Sequence, residues 1–210
     1  MRIINYILIS LIAFTTTALS TNCFGVEPSQ FVKAFMEIEG EFSQTEIDGI
    51  VHYHLKLIPA ELRVISSVKK GVFDEQMAEE FLTRSKARLD FILQIQIPEN
   101  GHQEFLKFES DTISYEEKVE YYAFDFQENI KVIIDGDVTS RVSDYIFERN
   151  YGSSPKGTFS FSIPYEIGDK NIEIKIDDKV YGSKENTFSF ETKSIKKLPR
   201  LKKVKKWINQ

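Results

Sequence analysis

The chain has 210 residues, of which 41% are hydrophobic and 13% aromatic, so it can bury a core and is too apolar to be disordered. Its 32 acidic side chains outnumber the 27 basic ones, and the net charge of -5 counts against a nucleic acid partner because phosphates repel an acidic body. The single cysteine excludes an intramolecular disulfide, so the fold must be stable without one.

The first 22 residues have the pattern of a signal peptide. Arg2 is followed by an uncharged apolar run from Ile3 to Phe14, which is too short to span a bilayer comfortably but fits the middle of a secretory leader. We therefore predict that residues 1–22 are removed and that the protein is exported to the periplasm, the outer membrane or the cell surface.

The only cysteine, Cys23, stands where the leader ends. The segment Leu19-Ser20-Thr21-Asn22-Cys23 resembles the bacterial lipobox, and this resemblance implies that Cys23 is lipidated and anchors the chain to a membrane. Lipidation would also consume a thiol that has no partner in an oxidising compartment. The alternative is cleavage after Ser20 or Gly25, with no role for Cys23.

Residues 27–88 predict an α+β segment. The run 31–38 fits either a strand or a short helix, whereas residues 51–57 alternate apolar and polar side chains as a half-buried strand does. Two helices should follow, one over 60–70 and one capped by Asp74. The second helix carries an apolar stripe at Phe73, Met77 and Phe81.

Residues 89–192 predict a β-sandwich body, because short alternating runs are separated by turn signals such as Asp135-Gly136-Asp137. The predicted strands cover 89–97, 119–126, 130–134, 145–151, 158–165, 172–176 and 187–192. We therefore predict an α+β fold in which a mainly antiparallel sandwich, with immunoglobulin-like topology as one option, follows a smaller segment with two helices.

The run from Tyr145 to Gly152, followed by Thr158 to Phe161, resembles segments of uncharacterised bacterial envelope proteins. This resemblance implies an envelope location and carries no activity with it.

The sequence shows no catalytic motif. There is no Gly-x-Ser-x-Gly pattern, and only three histidines are available as bases, so we predict a protein that is not an enzyme and needs no cofactor. His52 and His54 project from one face of a strand and are weak metal candidates, with solvated histidines as the alternative. Asp135, Asp137 and the pair Asp177-Asp178 fit turns better than a calcium site.

Residues 193–210 form a basic tail with eight of the 27 basic residues and no acidic one. A helix starting at Pro199 would place Leu201, Val204 and Ile208 on one face. We predict that the tail contacts a membrane or a protein partner through Arg200, Leu201, Lys202, Lys203, Val204, Lys205, Lys206 and Trp207.

These features predict a non-catalytic binding or scaffolding module of the cell envelope with a protein partner. Aromatic contacts at Tyr121, Tyr122, Tyr145 and Tyr151 are candidates for that interaction, although buried positions explain them equally well. One alternative is a binder of a small apolar ligand, held in a cavity between helices and sheet near Phe73 and Phe81. Another is a hydrolase of envelope polymers that uses an unidentified carboxylate pair.

Overall fold

The computed structural model describes residues 25–98, 104–108, 113–139, 142–149, 154–165, 168 and 170–206. The helices in these residues are α1 (Pro28–Glu37), α2 (Ala60–Lys69), α3 (Glu75–Arg84) and α4 (Tyr115–Glu120). The strands are β1 (Ser43–Asp48), β2 (Val51–Ile58), β3 (Arg88–Gln96), β4 (Ile130–Ile134), β5 (Asp137–Thr139), β6 (Ser143–Glu148), β7 (Lys156–Pro164), β8 (Asn171–Ile176) and β9 (Asn186–Glu191).

The strands form two sheets, one in the order β1-β2-β3-β7-β6 and the other in the order β5-β4-β8-β9. The pairings within both sheets are antiparallel. Without β1, this is the order of an immunoglobulin sandwich, in which strands A, B, E and D form one sheet and C, F and G the other, with C′ beside C. The predicted α+β sandwich, including its immunoglobulin-like option, is confirmed.

The core lies between the two sheets and is built from strands in which buried and more exposed side chains largely alternate. In the five-stranded sheet, Leu55 of β2 faces Leu93 of β3, which faces Phe159 of β7, and all three are fully buried. Ile174 of β8 and Phe188 of β9 are fully buried from the opposite sheet. Burying a side chain of this size stabilises the fold by about 1.5–3 kcal/mol, so these alternating rows determine which face of each strand points inward.

At one edge, the Gln44 side chain joins the two sheets through the hydrogen bonds that a neighbouring strand would otherwise make. The amide of Gln44 in β1 donates to the carbonyl of Ser189 in β9, and its oxygen accepts the N–H of Ser189 at 2.8 Å. An edge strand with free backbone groups is a site for unwanted pairing. Gln44 therefore covers part of the β9 edge.

Helix α1 precedes β1, and the other described helices lie between strands. Helices α2 and α3 occupy the connection from β2 to β3, and Asp74 caps α3 as predicted, because its carboxylate accepts the N–H of Met77 at 2.8 Å. The run 31–38, which fitted either a strand or a helix, belongs to helix α1. No helix among the described residues is long and apolar enough to cross a membrane.

The predicted strand over 119–126 is wrong. Helix α4 is followed by a π-helical turn, Tyr121–Asp125, and by a three-ten turn, Phe126–Asn129. A capping box explains the helix: the Ser114 hydroxyl accepts the N–H of Glu117, whose carboxylate accepts the N–H of Ser114 at 2.8 Å. The Ser114-x-x-Glu117 pattern was the sequence signal for this start.

The predicted division between residues 27–88 and 89–192 does not separate two structural units. Strand β2 pairs with β3 from His52 opposite Gln96 to Ile58 opposite Asp90, so both segments contribute to one sheet. Strand β1 was not predicted, and it extends that sheet beyond β2.

Candidate functional site

A cleft of about 410 Å³, partly open to solvent, lies at the end of the sandwich where β2 ends and β3 begins. Its walls come from the α2–α3 insertion, the residue that follows β7, and the chain after β9. Apolar side chains form much of its lining, among them Leu57, Pro59, Ala60, Leu82, Leu89 and Leu201. A space of this size lies within the roughly 300–1,000 Å³ typical of small-molecule sites.

One wall of the cleft contains the buried carboxylate of Asp90, which contacts three other side chains. Asp90 accepts a hydrogen bond from the Ser162 hydroxyl at 2.7 Å and forms ion pairs with Arg63 and Arg88 at 3.0 and 3.2 Å. The two guanidinium groups also lie over the ring of Phe81, at 5.4 and 5.6 Å from its centroid. Asp90 is therefore a structural anion that orients two arginines.

Arg88 is held from a second side by the edge strand β6. The register of β6 shifts between Ser143 and Ile146, and Asp144 within this irregularity has a positive φ of 50°. Its carboxylate accepts a hydrogen bond from Arg88 at 2.5 Å. The irregularity thus directs Asp144 toward the wall of the cleft, as bulges often redirect a side chain.

The first described residues of the chain fasten the C-terminal segment that closes the cleft. Val26 donates its N–H to the carbonyl of Arg200 at 2.7 Å, and Lys202 donates its N–H to the carbonyl of Val26 at 3.0 Å. Lys202 also forms an ion pair with Glu27. A Cβ at Gly25 would lie 2.6 Å from the Lys202 nitrogen, so only glycine allows this approach.

The apolar side chains of the same segment are buried against the helices. Val204 is fully buried in a small second core with Val64 of α2 and Ala78 of α3. The N–H of Val204 donates to the carboxylate of Glu79 at 3.0 Å, and Leu201 is 9% exposed. The end of the described chain therefore packs into the fold.

The amphipathic helix predicted to start at Pro199 does not form over its described part, residues 199–206. Leu201 forms an isolated bridge with Val26, and a three-ten turn covers Val204–Lys206. Leu201 and Val204 are buried in the protein, so they are not available to insert into a membrane. Trp207 and Ile208 lie outside the described residues, and the predicted membrane or partner contact of the tail stays a prediction.

The cavity that would mark an apolar ligand was expected near Phe73 and Phe81. These two rings instead pack on each other, with centroids 5.5 Å apart, beside the second core. The cleft lies at the same helix–sheet junction, but its apolar lining includes leucines and Pro59 rather than these two rings.

At the opposite end of the sandwich, a buried carboxylate organises the loop between β8 and β9. Asp178 is 2% exposed and accepts hydrogen bonds from the hydroxyls of Tyr53 and Tyr122 at 3.0 and 2.9 Å. The backbone N–H groups of Val180 and Tyr181 donate to it at 3.0 and 3.4 Å. Burial raises the pKa of Asp178 and those of both tyrosines. This burial gives the network a structural role.

A second aspartate, Asp48, binds the same loop. Its pKa is lowered, whereas that of Asp178 is raised. Burial alone would raise the pKa of Asp48, but hydrogen bonds from Ser183 and Lys184 outweigh this effect and hold it below the usual value. The Ser183 N–H donates to Asp48 at 2.6 Å and the Lys184 N–H at 3.0 Å. The pair Asp177-Asp178 therefore belongs to a loop that is held by hydrogen bonds to two buried aspartates. The sequence alone did not identify Asp178 or Asp48 as buried.

Of the tyrosines named as candidates for a partner contact, with burial as the equal alternative, those that the structure describes take part in this interior. Tyr122 is fully buried, and the hydroxyl of Tyr145 donates to its carbonyl at 2.5 Å. The hydroxyl of Tyr121 accepts the N–H of Lys179 at 3.0 Å. Tyr151 lies outside the described residues.

The histidine pair does not assemble a metal centre with its described neighbours. His54 uses both ring nitrogens, at 2.9 Å from the Ser43 hydroxyl and 2.8 Å from the Thr45 hydroxyl. Burial, followed by the nearby charge of Lys56, lowers the pKa of His54. Across the described ranges, no group of three or more histidine, cysteine, aspartate or glutamate side chains is placed to hold a metal ion, so His52 has no such group to join. Cys23, the predicted lipidation site, precedes the described residues.

No protein-family model matches the chain, and no curated protein matches it. One solved structure is similar, a DUF4426 family protein from Pseudomonas aeruginosa PAO1, with 13% sequence identity and a TM-score of 0.35. The similarity covers 72% of this chain and 94% of that chain. At this identity and TM-score, no property of that protein is transferred to this one.

Proposed function

We propose that the protein is an exported, non-catalytic binding module of the cell envelope and that the cleft beside α2 and α3 is its ligand site. The observation that carries this proposal is a partly open space of about 410 Å³ with many apolar lining residues, to which three separate parts of the chain contribute. A ligand in this cleft would contact the end of the sandwich, helices α2 and α3 and the C-terminal segment.

The position of the amino-terminal residues supports an envelope role. Gly25 and Val26 lie directly against Arg200 and Lys202, next to the cleft. A lipid on Cys23, two residues before Gly25, would hold the cleft close to a membrane surface. On this proposal, a lipid on Cys23 and the cleft would act at the same membrane surface.

The state of the buried carboxylates favours binding over catalysis. A hydrolase needs carboxylates that can exchange protons or attack a substrate. Asp90 at the cleft is saturated by two arginines and Ser162, and Asp178 is buried at the other end of the sandwich. Neither residue is available to a reacting group.

Filling the cleft should weaken binding of an apolar probe. Ala60, at the start of α2, lines the cleft, and Ala60→Trp would place an indole in that space. We expect the affinity for the neutral fluorophore N-phenylnaphthylamine to fall at least about tenfold, since the ring displaces the probe. Fluorescence titration of the full chain measures this change.

The matched control introduces the same indole on an exposed surface. Ile146 of β6 is 57% exposed and does not line the cleft, so Ile146→Trp should bind the probe as the wild-type protein does. If the wild-type protein fails to bind the probe, or if both variants bind it equally well, the cleft is not a ligand site.

Export is tested by the mass of the mature amino terminus. We expect full-length chain produced in bacteria to be recovered from the envelope, without Met1 and with acyl groups on Cys23. In a Cys23→Ser variant those acyl groups should be lost. Recovery of the wild-type chain from the cytosol with Met1 in place would contradict the proposal.

A further inference from the structure

We infer that the ligand of this cleft is an amphiphile with an aliphatic chain and an anionic head group, a carboxylate or a phosphate, and that Arg200 and Lys203 bind the head group. This inference rests on the proposed function and adds the chemistry of the ligand to it. It follows from the lining of the cleft and from the pairing of its charged groups.

The apolar lining suits an aliphatic chain. Leu57 and Leu89 come from adjacent strands, Leu82 from α3, and Leu201 from the C-terminal segment. Branched aliphatic side chains from several directions give non-directional contacts, and the free energy of binding then grows with the apolar surface that the ligand buries.

The acidic side chains at the cleft are compensated by the fold. Asp90 is paired with Arg63 and Arg88. Glu79 accepts the N–H of Val204. Glu61 lies in the first turn of α2, where the helix dipole favours a negative charge.

Two cations at the cleft have no such compensation. Lys202 is paired with Glu27 and Arg88 with Asp90, whereas the side chains of Arg200 and Lys203 form no hydrogen bond or ion pair with any described residue. Both residues are exposed, so their charges are accessible from solvent. Arg200 and Lys203 are therefore two accessible positive charges at the cleft, to which an anion can bind.

A polar atom in the cleft wall also lacks a partner. The hydroxyl oxygen of Ser85 is buried and makes no hydrogen bond with the described part of the chain. A buried hydroxyl without a partner is unfavourable by roughly 1–3 kcal/mol. An oxygen of a ligand would accept its proton and remove this penalty.

The head group is tested by competition against N-phenylnaphthylamine with three ligands of one chain length, decanoate, decanol and decylamine. We expect decanoate to displace the probe from the full-length protein at about a tenfold lower concentration than decanol, and decylamine to be the weakest competitor. Lysophosphatidylglycerol, as the phosphate arm, distinguishes a lipid head group from a free fatty acid.

The cations are tested in a double variant, Arg200→Ala with Lys203→Ala. The affinity for decanoate should fall about tenfold, and the affinity for decanol should stay unchanged, because only the charge contact is lost. Retained decanol binding also shows that the variant is folded. The matched control, Lys69→Ala with Lys70→Ala, removes two exposed lysines that do not line the cleft and should bind all ligands as the wild type does.

The outcomes separate the two proposals. If the probe and all competitors fail to bind, the proposed function is overturned. If decanol and decanoate compete equally, or if the double variant loses both to the same extent, the cleft is a ligand site but the head group inference is wrong.

Discussion

Replacing Asp178 with alanine is expected to lower the free energy of unfolding by about 4 kcal/mol. Asp178→Ala removes the acceptor for the hydroxyls of Tyr53 and Tyr122 and for the N–H groups of Val180 and Tyr181. Both tyrosines are fully buried, so their hydroxyls cannot turn to bulk water. Each donor left without a partner in the interior is unfavourable by roughly 1–3 kcal/mol, partly relieved by relaxation of the loop.

The measurement is urea unfolding followed by fluorescence and circular dichroism. Tyr53→Phe, which removes one donor and leaves the carboxylate in place, should lose only about 1 kcal/mol. If Asp178→Ala lowers the free energy of unfolding by less than about 1 kcal/mol, the network does not hold the β8–β9 loop.

Asp178→Asn separates the charge from the hydrogen bonds, because asparagine keeps one acceptor oxygen. Burial raises the pKa of Asp178 above its usual 3.8, so at a pH between the two values Asp178 is protonated more fully in the folded protein than in the unfolded chain. The stabilisation that comes from this proton uptake is fully present below a pH of about 3.8. It is lost as the pH rises through the pKa of Asp178 in the folded protein. The wild-type protein should therefore gain stability relative to Asp178→Asn as the pH is lowered from neutrality.

Replacing Phe159 with alanine is expected to lower the free energy of unfolding by about 4 kcal/mol. Phe159 is fully buried at the centre of β7. Its ring centroid lies 4.9 Å from Phe147, 5.1 Å from Phe126 and 5.4 Å from Tyr122. Alanine would leave a cavity among rings that belong to both β6 and the helical segment before β4.

The control is Phe159→Leu, which keeps most of the volume and should lose less than about 1.5 kcal/mol. Both variants are compared by urea unfolding with the wild-type slope retained. Equal losses for leucine and alanine would mean that ring contacts, rather than the cavity, determine the effect.

Most strands could be predicted from the sequence because one face of each is buried. Residues 51–57, 89–97 and 172–176 alternate apolar and polar side chains, and they coincide with β2, β3 and β8 within one or two residues. The short strand β5 could not be predicted, because three residues carry too little periodicity. The sandwich then followed from the number of strands and the turns between them.

The errors arose where an apolar residue has more than one way to be buried. Residues 119–126 are apolar on both faces, which fits a central strand, but the capping box at Ser114 and the packing of Tyr122 and Phe126 on β6 and β7 make them helical. In the tail, Leu201 and Val204 have helical spacing, yet the pocket formed by Val64 and Ala78 binds Val204 in a three-ten turn. The periodicity of a short segment does not show which distant residues the segment will pack against.

The candidate site was less accessible to sequence reasoning than the fold. A ligand cavity at the junction of helices and sheet was one of the expected alternatives, and a cleft is present at that junction, but its lining comes from residues up to 146 positions apart, from Leu57 to Lys203. Asp90 and Asp178 looked like ordinary strand and turn residues in the sequence. Only their burial and their partners identify them.

The sequence by itself determined the alternation that builds the two sheets and the caps that start α3 and α4, because those effects act between residues a few positions apart. The tertiary structure decided how Gly25 and Val26 meet Arg200 and Lys202, how Asp178 collects donors from three parts of the chain, and where the cleft opens. Each of these includes a contact between residues more than a hundred positions apart, which arises only when the whole core packs as one unit.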